Sequence, residues 1–168
     1  MELAHEIDSF ETSVPLMDLL RFFRRDPWYQ LVFNAPRLYL RNLAFSTLKA
    51  RLLVPPTFSR ADTLHNLNRS ALISAAFAVG NYEALQGLLE DRVHQPYREQ
   101  LIPQLSRIIK AGEKAGAIGG WLCGSGPAVT CITLKNPGEV ARAMQRPMRD
   151  SEVLILSADN EGIKVVDR

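Results

Sequence analysis

Glycine is absent from the first 79 of the 168 residues, and all ten glycines lie between Gly80 and Gly162. Loops that bind nucleotide phosphates use glycine because backbone N–H groups must approach the anion without interference from a Cβ atom. Residues 1–79 therefore contain no P-loop, no dinucleotide fingerprint and no other glycine-rich nucleotide loop.

Other scarcities exclude further classes of protein. The two cysteines, Cys123 and Cys131, form no CxxC pair and are expected to be reduced thiols, and the three scattered histidines show no metal-ligand spacing. The net charge of +2 gives no strong attraction to nucleic acid or membrane. No apolar run is long enough to cross a bilayer, and the acidic amino terminus lacks a signal-peptide core. We expect a cytoplasmic protein without a metal site.

Hydrophobic periodicity and turn residues predict two regions. Residues 1–27 form an amino-terminal helical segment that matches no recognisable unit, and residues 28–168 form one domain. Its order of strand, helices, two strands, helix and two strands predicts an α+β fold with helices on one face of an antiparallel sheet. The predicted strands cover 28–43 (one or two strands, split near residues 34–36), 118–123, 128–134, 153–157 and 163–166, the last two as a hairpin.

Three helices are predicted between the first two strands. Ser59 caps the first, which extends to about Val79 and has an apolar face and a polar face that is solvated by default. Asn81 caps the second, and the third runs from near Pro103 to Gly116. The two faces of the first helix are Leu64, Leu67, Ala71 and Ala75 against Asp62, His65, Asn66 and Arg69. A fourth helix is predicted after Asn136, which acts as its cap, and ends by Pro147.

One turn could bind an anion. Gly124, Ser125 and Gly126 precede Pro127 between two predicted strands, and backbone amides in such a turn can point into a shared concavity. The alternative is a sharp turn that lets two elements pack closely.

Two arginines could bind a carboxylate. Thr47 and Arg51 lie four residues apart and can share one face of a helical turn, where a guanidinium binds a carboxylate through two hydrogen bonds. Arg98 supplies a second guanidinium, and His94 could act as a base. The alternatives are a capped turn with solvated cations and a packing histidine. Neither a catalytic triad nor a carboxylate pair is evident, so no catalytic residue is assigned.

Taken in order, these segments resemble homoserine kinases of the GHMP small-molecule kinase family. The chain carries Ser-Thr-x-x-Ala-Arg at 46–51, a family-like helix at 62–72, and His-Gln-Pro-Tyr-Arg at 94–98 followed by Ile-Pro at 102–103. The fourth segment is Gly-Ser-Gly-Pro at 124–127, where Cys123 replaces the usual serine. The tail is less distinctive, and residues 1–27 match nothing in the family.

The resemblance implies a ferredoxin-like carboxy-terminal domain and ATP-dependent phosphorylation of L-homoserine in threonine biosynthesis, with Mg²⁺ as a cofactor. It implies that Arg51 and Arg98 bind the substrate carboxylate, with Thr47 nearby. The turn formed by Gly124, Ser125 and Gly126 would line the site. The further pocket residues are Asn66, Arg69 and His94.

Residues 1–79 lack the glycine-rich loop with which the family binds ATP, so the resemblance implies only part of a kinase. We expect the chain to supply only the substrate-side domain and not to bind ATP or Mg²⁺ alone. The expected partner is a separate amino-terminal GHMP domain or a second copy, and an exposed apolar patch should mark where that domain docks. The alternatives are a non-catalytic small-molecule-binding or interaction module and another GHMP kinase such as a mevalonate-type enzyme.

Overall fold

A computed structural model of the chain describes residues 30–36 and 47–157. The predicted segment 1–27 and the predicted strand 163–166 lie outside the described residues. The strands are β1 (Gln30–Pro36), β2 (Gly119–Leu122), β3 (Val129–Thr133) and β4 (Ser151–Ser157). The α-helices are α1 (Thr47–Leu52), α2 (Arg60–Val79), α3 (Gln95–Arg98), α4 (Leu105–Lys114) and α5 (Pro137–Gln145).

The four strands form one sheet in the order β2-β3-β1-β4, and every neighbouring pair is antiparallel. In the register, Val32 of β1 lies opposite Cys131 of β3 on one side and Ile155 of β4 on the other. This arrangement confirms the predicted α+β, ferredoxin-like fold. β1 runs through Asn34 to Pro36, so the proline that was predicted to split the strand is its last residue.

Helices α4 and α5 cover one face of the sheet. Their apolar stripes contribute Leu105, Ile108, Val140 and Met144, all almost fully buried, to the main core. Close approach of α4 depends on small residues: a Cβ atom on Gly112 would lie 2.7 Å from the sulfur of Cys131. Each buried aliphatic side chain of this kind stabilises the fold by roughly 1.5–3 kcal/mol.

The opposite face of the sheet is partly covered by α2 and the loop that follows it. The sequence predicted this helix but placed all helices on one face of the sheet. Ala76, Tyr82, Leu85 and Ile132 form a second buried cluster there. Ala76 is the member of this cluster that α2 supplies, and Ile73 and Phe77, about one turn apart on the same side of α2, pack against the cluster. The phenyl ring of Phe77 meets the ring of Tyr82 edge-on, with 5.5 Å between centroids.

The orientation of α2 contradicts the default of a solvated polar face. Leu64 and Leu67, on the face with apolar periodicity, are 44% and 63% exposed. The face that carries Asn66 and Arg69 continues through Ile73 to Ala76 and turns toward the sheet. Amphipathic spacing therefore identified the two faces of this helix but not which of them is buried.

Local capping signals were partly right. Ser59 accepts a hydrogen bond from the Asp62 amide at 3.0 Å, and α2 ends at Val79, as predicted; Gly80, in the left-handed conformation, follows as its C-cap. The helix predicted after Asn81 is only a short 3₁₀ turn, Tyr82–Leu85. Asn136 precedes α5 but makes no side-chain cap; it adopts φ +52° instead.

Among residues 30–36 and 47–157, no helix combines the length and apolar character that a bilayer crossing would require.

Candidate functional site

The centre of the candidate site is the carboxylate of Asp91, in the loop between α2 and α3. It accepts hydrogen bonds from the side chain of Asn66 at 2.6 Å and from the backbone amides of Val93, His94 and Gln95 at 2.8, 2.9 and 2.6 Å. Burial alone would raise its pKa, but these hydrogen bonds prevail and lower the pKa below 3.8. Asp91 therefore fixes the start of α3 as a charged cap.

Asn66 completes this connection between α2 and the loop. Its amide nitrogen donates to Asp91, and its carbonyl oxygen accepts from the backbone amide of Arg92 at 2.9 Å. Both ends of the side chain are thus occupied by protein. Asn66, which was predicted to line the pocket, therefore positions the loop between α2 and α3.

Arg98 lies at the end of α3 and faces the predicted anion-binding turn. Its Nη1 donates to the carbonyl oxygen of Gly124 at 2.9 Å, while its Nε is buried and has no hydrogen-bond partner among the described residues. Gln95, one turn earlier, accepts a hydrogen bond from the backbone amide of Leu122. These two contacts attach α3 to the end of β2 and to the turn.

The turn itself needs glycine. Gly124 and Gly126 have φ of +57° and +87°, and a Cβ atom on Gly126 would lie 2.7 Å from a methyl carbon of Ile102. The amides of Cys123 and Gly126 are used inside the turn. Those of Gly124 and Ser125 donate to no acceptor within the described parts of the chain, so they remain available to an anion.

Arg98, His94 and Gly124 share the lining of an open cleft of about 320 Å³, here called the Arg98 cleft. This volume is in the range of small-molecule sites, roughly 300–1,000 Å³. Its full lining is Asp91, His94, Gln95, Arg98, Trp121, Leu122 and Gly124.

A second cleft, of about 350 Å³, lies on the other side of Asp91 and Trp121 and is here called the α2 cleft. Its polar lining includes Arg69, Asn66 and Glu90. Arg69 approaches Glu90 at 3.6 Å, and its Nε is buried without a hydrogen-bond partner among the described residues. The full lining is Asn66, Arg69, Ser70, Ile73, Phe77, Leu85, Leu88, Leu89, Glu90, Asp91, Trp121 and Ile132.

The predicted site residues therefore separate into groups. Arg98, His94 and Gly124 come together, whereas Arg69 and Asn66 line the neighbouring α2 cleft. Arg51 lies on α1 with an exposed side chain, and it lines neither cleft. The side chain of Thr47 lies outside the described residues. The roles predicted for Thr47 and Arg51 stay predictions.

Sequence reasoning missed Asp91, Gln95 and Trp121. A signal for Asp91 was present, because an aspartate commonly accepts a hydrogen bond from the backbone amide two residues later, here that of Val93. No sequence signal could have placed Trp121 between two clefts. Over the described ranges, no cluster of three His, Cys, Asp or Glu side chains could hold a metal ion.

Comparisons with known proteins match part of the chain to one family of kinases. Residues 72–150 match the family described as GHMP kinases C terminal. Residues 72–150 are therefore a carboxy-terminal domain of the GHMP kinase type, which confirms the resemblance seen in the sequence.

Curated relatives narrow the resemblance to homoserine kinases. The chain is 35% identical over 125 residues to the homoserine kinase of Aquifex aeolicus, covering 71% of the chain and 42% of that protein. It is 33% identical over 153 residues to that of Desulfitobacterium hafniense, covering 88% of the chain and 50% of that protein. The chain thus spans about half the length of these relatives.

A solved structure supports the fold. The crystal structure of homoserine kinase from Cytophaga hutchinsonii superposes with a TM-score of 0.69 at 19% identity, covering 77% of this chain and 42% of that one. At this level of identity the match shows the shared architecture.

Proposed function

We propose that this chain supplies the substrate-side domain of a homoserine kinase, and that Arg98 binds the carboxylate of L-homoserine. The observation that carries the proposal is that Arg98 is fixed by Gly124 through one nitrogen while its buried Nε has no partner among the described residues. A guanidinium held in this way offers its remaining donors to a planar carboxylate. The sequence identity of 33% to 35% between this chain and two homoserine kinases supports L-homoserine as the ligand.

The Gly-Ser-Gly turn has a second task in this proposal. The amides of Gly124 and Ser125 stabilise negative charge near the substrate, whether on the carboxylate or on the phosphoryl group in transit. By family resemblance, Arg51 and Thr47 belong to the same substrate-binding site. His94 lines the Arg98 cleft and is a further pocket residue.

Membership of the GHMP kinases implies that ATP is the phosphoryl donor. In the proposed reaction the bond between the γ-phosphorus and the ADP leaving oxygen breaks, and a new bond forms to the homoserine hydroxyl oxygen, whose proton is released. Because residues 1–79 lack a glycine-rich loop, we propose that another polypeptide segment binds ATP and Mg²⁺. We further propose a cytoplasmic protein in which residues 28–168 form the domain and residues 1–27 a separate segment.

Isothermal titration of the full chain with L-homoserine tests the substrate grip. We expect measurable heat with L-homoserine and none with homoserine methyl ester, which lacks the negative charge. Arg98→Gln should weaken binding at least tenfold, whereas Arg107→Gln, an exposed arginine on the neighbouring helix, should leave it unchanged. Equal affinity of the Arg98→Gln variant and the parent would refute the role of Arg98.

A mixing experiment tests the need for a second polypeptide. Phosphorus NMR of the chain with ATP, Mg²⁺ and L-homoserine should show no phosphohomoserine, and adding the amino-terminal half of the Aquifex aeolicus relative should produce it. Turnover by the chain alone would contradict the proposal. Homoserine binding without turnover in any mixture would favour the non-catalytic binding module.

A further inference from the structure

The α2 cleft has a different character from the Arg98 cleft. Its inner wall consists of apolar side chains from α2, the following loop and the sheet, including Ile73, Leu85, Trp121 and Ile132. Its polar lining residues come from α2 and from the beginning of the loop before α3 and are Asn66, Arg69, Ser70, Glu90 and Asp91. A ligand with one apolar end and one polar end matches this distribution.

Arg69, the cation that lines this cleft, has a hydrogen-bond donor without an acceptor. The guanidinium of Arg69 approaches Glu90 through Nη2 at 3.6 Å, a distance too long for a hydrogen bond, and its buried Nε has no partner within the described part of the chain. A buried donor without an acceptor is costly, so an acceptor entering here would be bound favourably.

Neighbouring groups disfavour a ligand that carries two negative charges. Glu90 and Asp91 both line the cleft, and a doubly charged phosphate would be repelled by them. Asp91 is already saturated with hydrogen bonds and cannot accept an ammonium group well. A monocarboxylate therefore suits Arg69 better than a doubly charged phosphate.

Glu90 can make room for such a ligand. Its side chain is 56% exposed and also contacts Arg92 at 3.2 Å. If Glu90 keeps its contact with Arg92, the nearby Arg69 can pair with an incoming carboxylate. The exchange replaces a loose ion pair by a closer and less exposed one.

From these contacts we propose that the α2 cleft binds a small apolar monocarboxylate, with the carboxylate on Arg69 and the hydrocarbon part against Ile73, Trp121 and Ile132. This is a second ligand site, separate from the homoserine grip on Arg98. It assigns Arg69 to a ligand with an apolar side chain and removes it from the homoserine pocket.

Titration of the full chain with 4-methylpentanoate tests the proposal, with the indole N–H signal of Trp121 in an ¹H–¹⁵N spectrum as the readout. We expect a saturable shift of that signal with the acid. We expect none at the same concentration with 4-methylpentan-1-ol or 4-methylpentylamine, which keep the hydrocarbon and lack the carboxylate. Absence of a saturable shift with the acid, or equal binding of the alcohol, would overturn the site.

Three variants locate the ligand. Arg69→Gln should weaken 4-methylpentanoate binding at least tenfold, and Glu90→Gln should strengthen it because the competing carboxylate is gone. Arg107→Gln is the matched control on α4 and should match the parent. Unchanged affinity in Arg69→Gln would contradict the proposal, as would weaker binding in Glu90→Gln.

The homoserine site on Arg98 and the monocarboxylate site on Arg69 can be tested separately. Arg98→Gln should lose homoserine binding and keep 4-methylpentanoate binding, whereas Arg69→Gln should do the reverse. If Arg69→Gln abolished homoserine binding as well, the second site would be refuted and Arg69 would return to the substrate pocket.

Discussion

Arg98 donates a hydrogen bond from Nη1 to the carbonyl oxygen of Gly124 at 2.9 Å, which joins segments 26 residues apart in the sequence. The contact places the His-Gln-Pro-Tyr-Arg segment beside the Gly-Ser-Gly turn, two motifs that only the family resemblance had assigned to one site. It leaves part of the guanidinium for a ligand. Several measurements can test what this arrangement does.

The fork geometry of Arg98 should matter beyond its charge. Arg98→Lys retains a cation but cannot hold Gly124 and a carboxylate through a planar fork, so homoserine affinity should fall about tenfold, or about 1.4 kcal/mol. Calorimetric titration measures this. Arg107→Lys, on an exposed position of α4, should bind as the parent does; a similar loss there would point to a general charge effect.

The turn should be sensitive to substitution in a graded way. Gly126→Ala combines φ +87° with a Cβ atom 2.7 Å from Ile102, and it should lower the free energy of unfolding by about 3 kcal/mol. Gly124→Ala has φ +57° and open space around its Cβ, so about 1 kcal/mol is expected. Urea unfolding of both variants gives the comparison, and equal losses would show that packing against Ile102 contributes nothing.

Asp91 should make the free energy of unfolding depend on pH. Because its pKa in the folded protein is lowered below 3.8, its contribution to stability is present above pH 3.8 and disappears as the pH falls through the folded-state pKa. Asp91→Asn should cost about 2 kcal/mol at pH 7, and the difference from the parent should shrink near pH 2. Urea midpoints measured between pH 7 and pH 2 test this. Asp150→Asn, an exposed carboxylate, is the control and should be neutral throughout; a constant penalty for Asp91→Asn would argue against a charge effect.

The two cysteines should differ in reactivity. Burial, with the negative charge of Glu113 adding to it, raises the pKa of Cys131 to about 12, and its thiol is fully buried between the sheet and α4. Cys123 is half-buried at the turn. Iodoacetamide at pH 8 should therefore label Cys123 in the folded protein and Cys131 only in denaturant. Mass spectrometry of a Cys123→Ser variant isolates the second thiol, and rapid labelling of that variant when folded would contradict the assignment.

The exposed apolar face of α2 should mediate association. Leu67 is 63% exposed, so Leu67→Glu should leave the unfolding midpoint nearly unchanged. If the amino-terminal half of a relative docks on this face, the substitution should weaken reconstituted turnover at least tenfold. Arg107→Glu, an exposed change of charge elsewhere, is the control. Full turnover with Leu67→Glu would place the docking surface on another part of the domain.

Much of the architecture could be predicted from local signals. Helix α2 begins after Ser59 and ends at Val79, as predicted, and the Gly-Ser-Gly-Pro turn separates β2 from β3 as expected. α5 ends at Gln145, before Pro147, as predicted. These boundaries depend on φ, ψ and neighbouring hydrogen bonds, which a few adjacent residues control.

The site was less predictable, because its geometry comes from contacts between distant segments. The clearest case is Asn66, whose side chain holds Asp91 and Arg92, some 25 residues later in the sequence. Spacing on a helix cannot reveal such a partner. It also could not show that Arg69 lines one cleft and Arg98 another, on the two sides of Trp121.

By itself, the sequence determined the class of fold, the ends of the main helices and the resemblance to homoserine kinases, because these follow from local stereochemistry and from ordered motifs. Only the tertiary structure decided that β1 lies inside the sheet between β3 and β4, that the Asn66 face of α2 is turned inward, and that Arg98 meets Gly124. The physical reason is that periodicity divides a helix or strand into two faces, whereas burial of a face depends on the surface that packs against it.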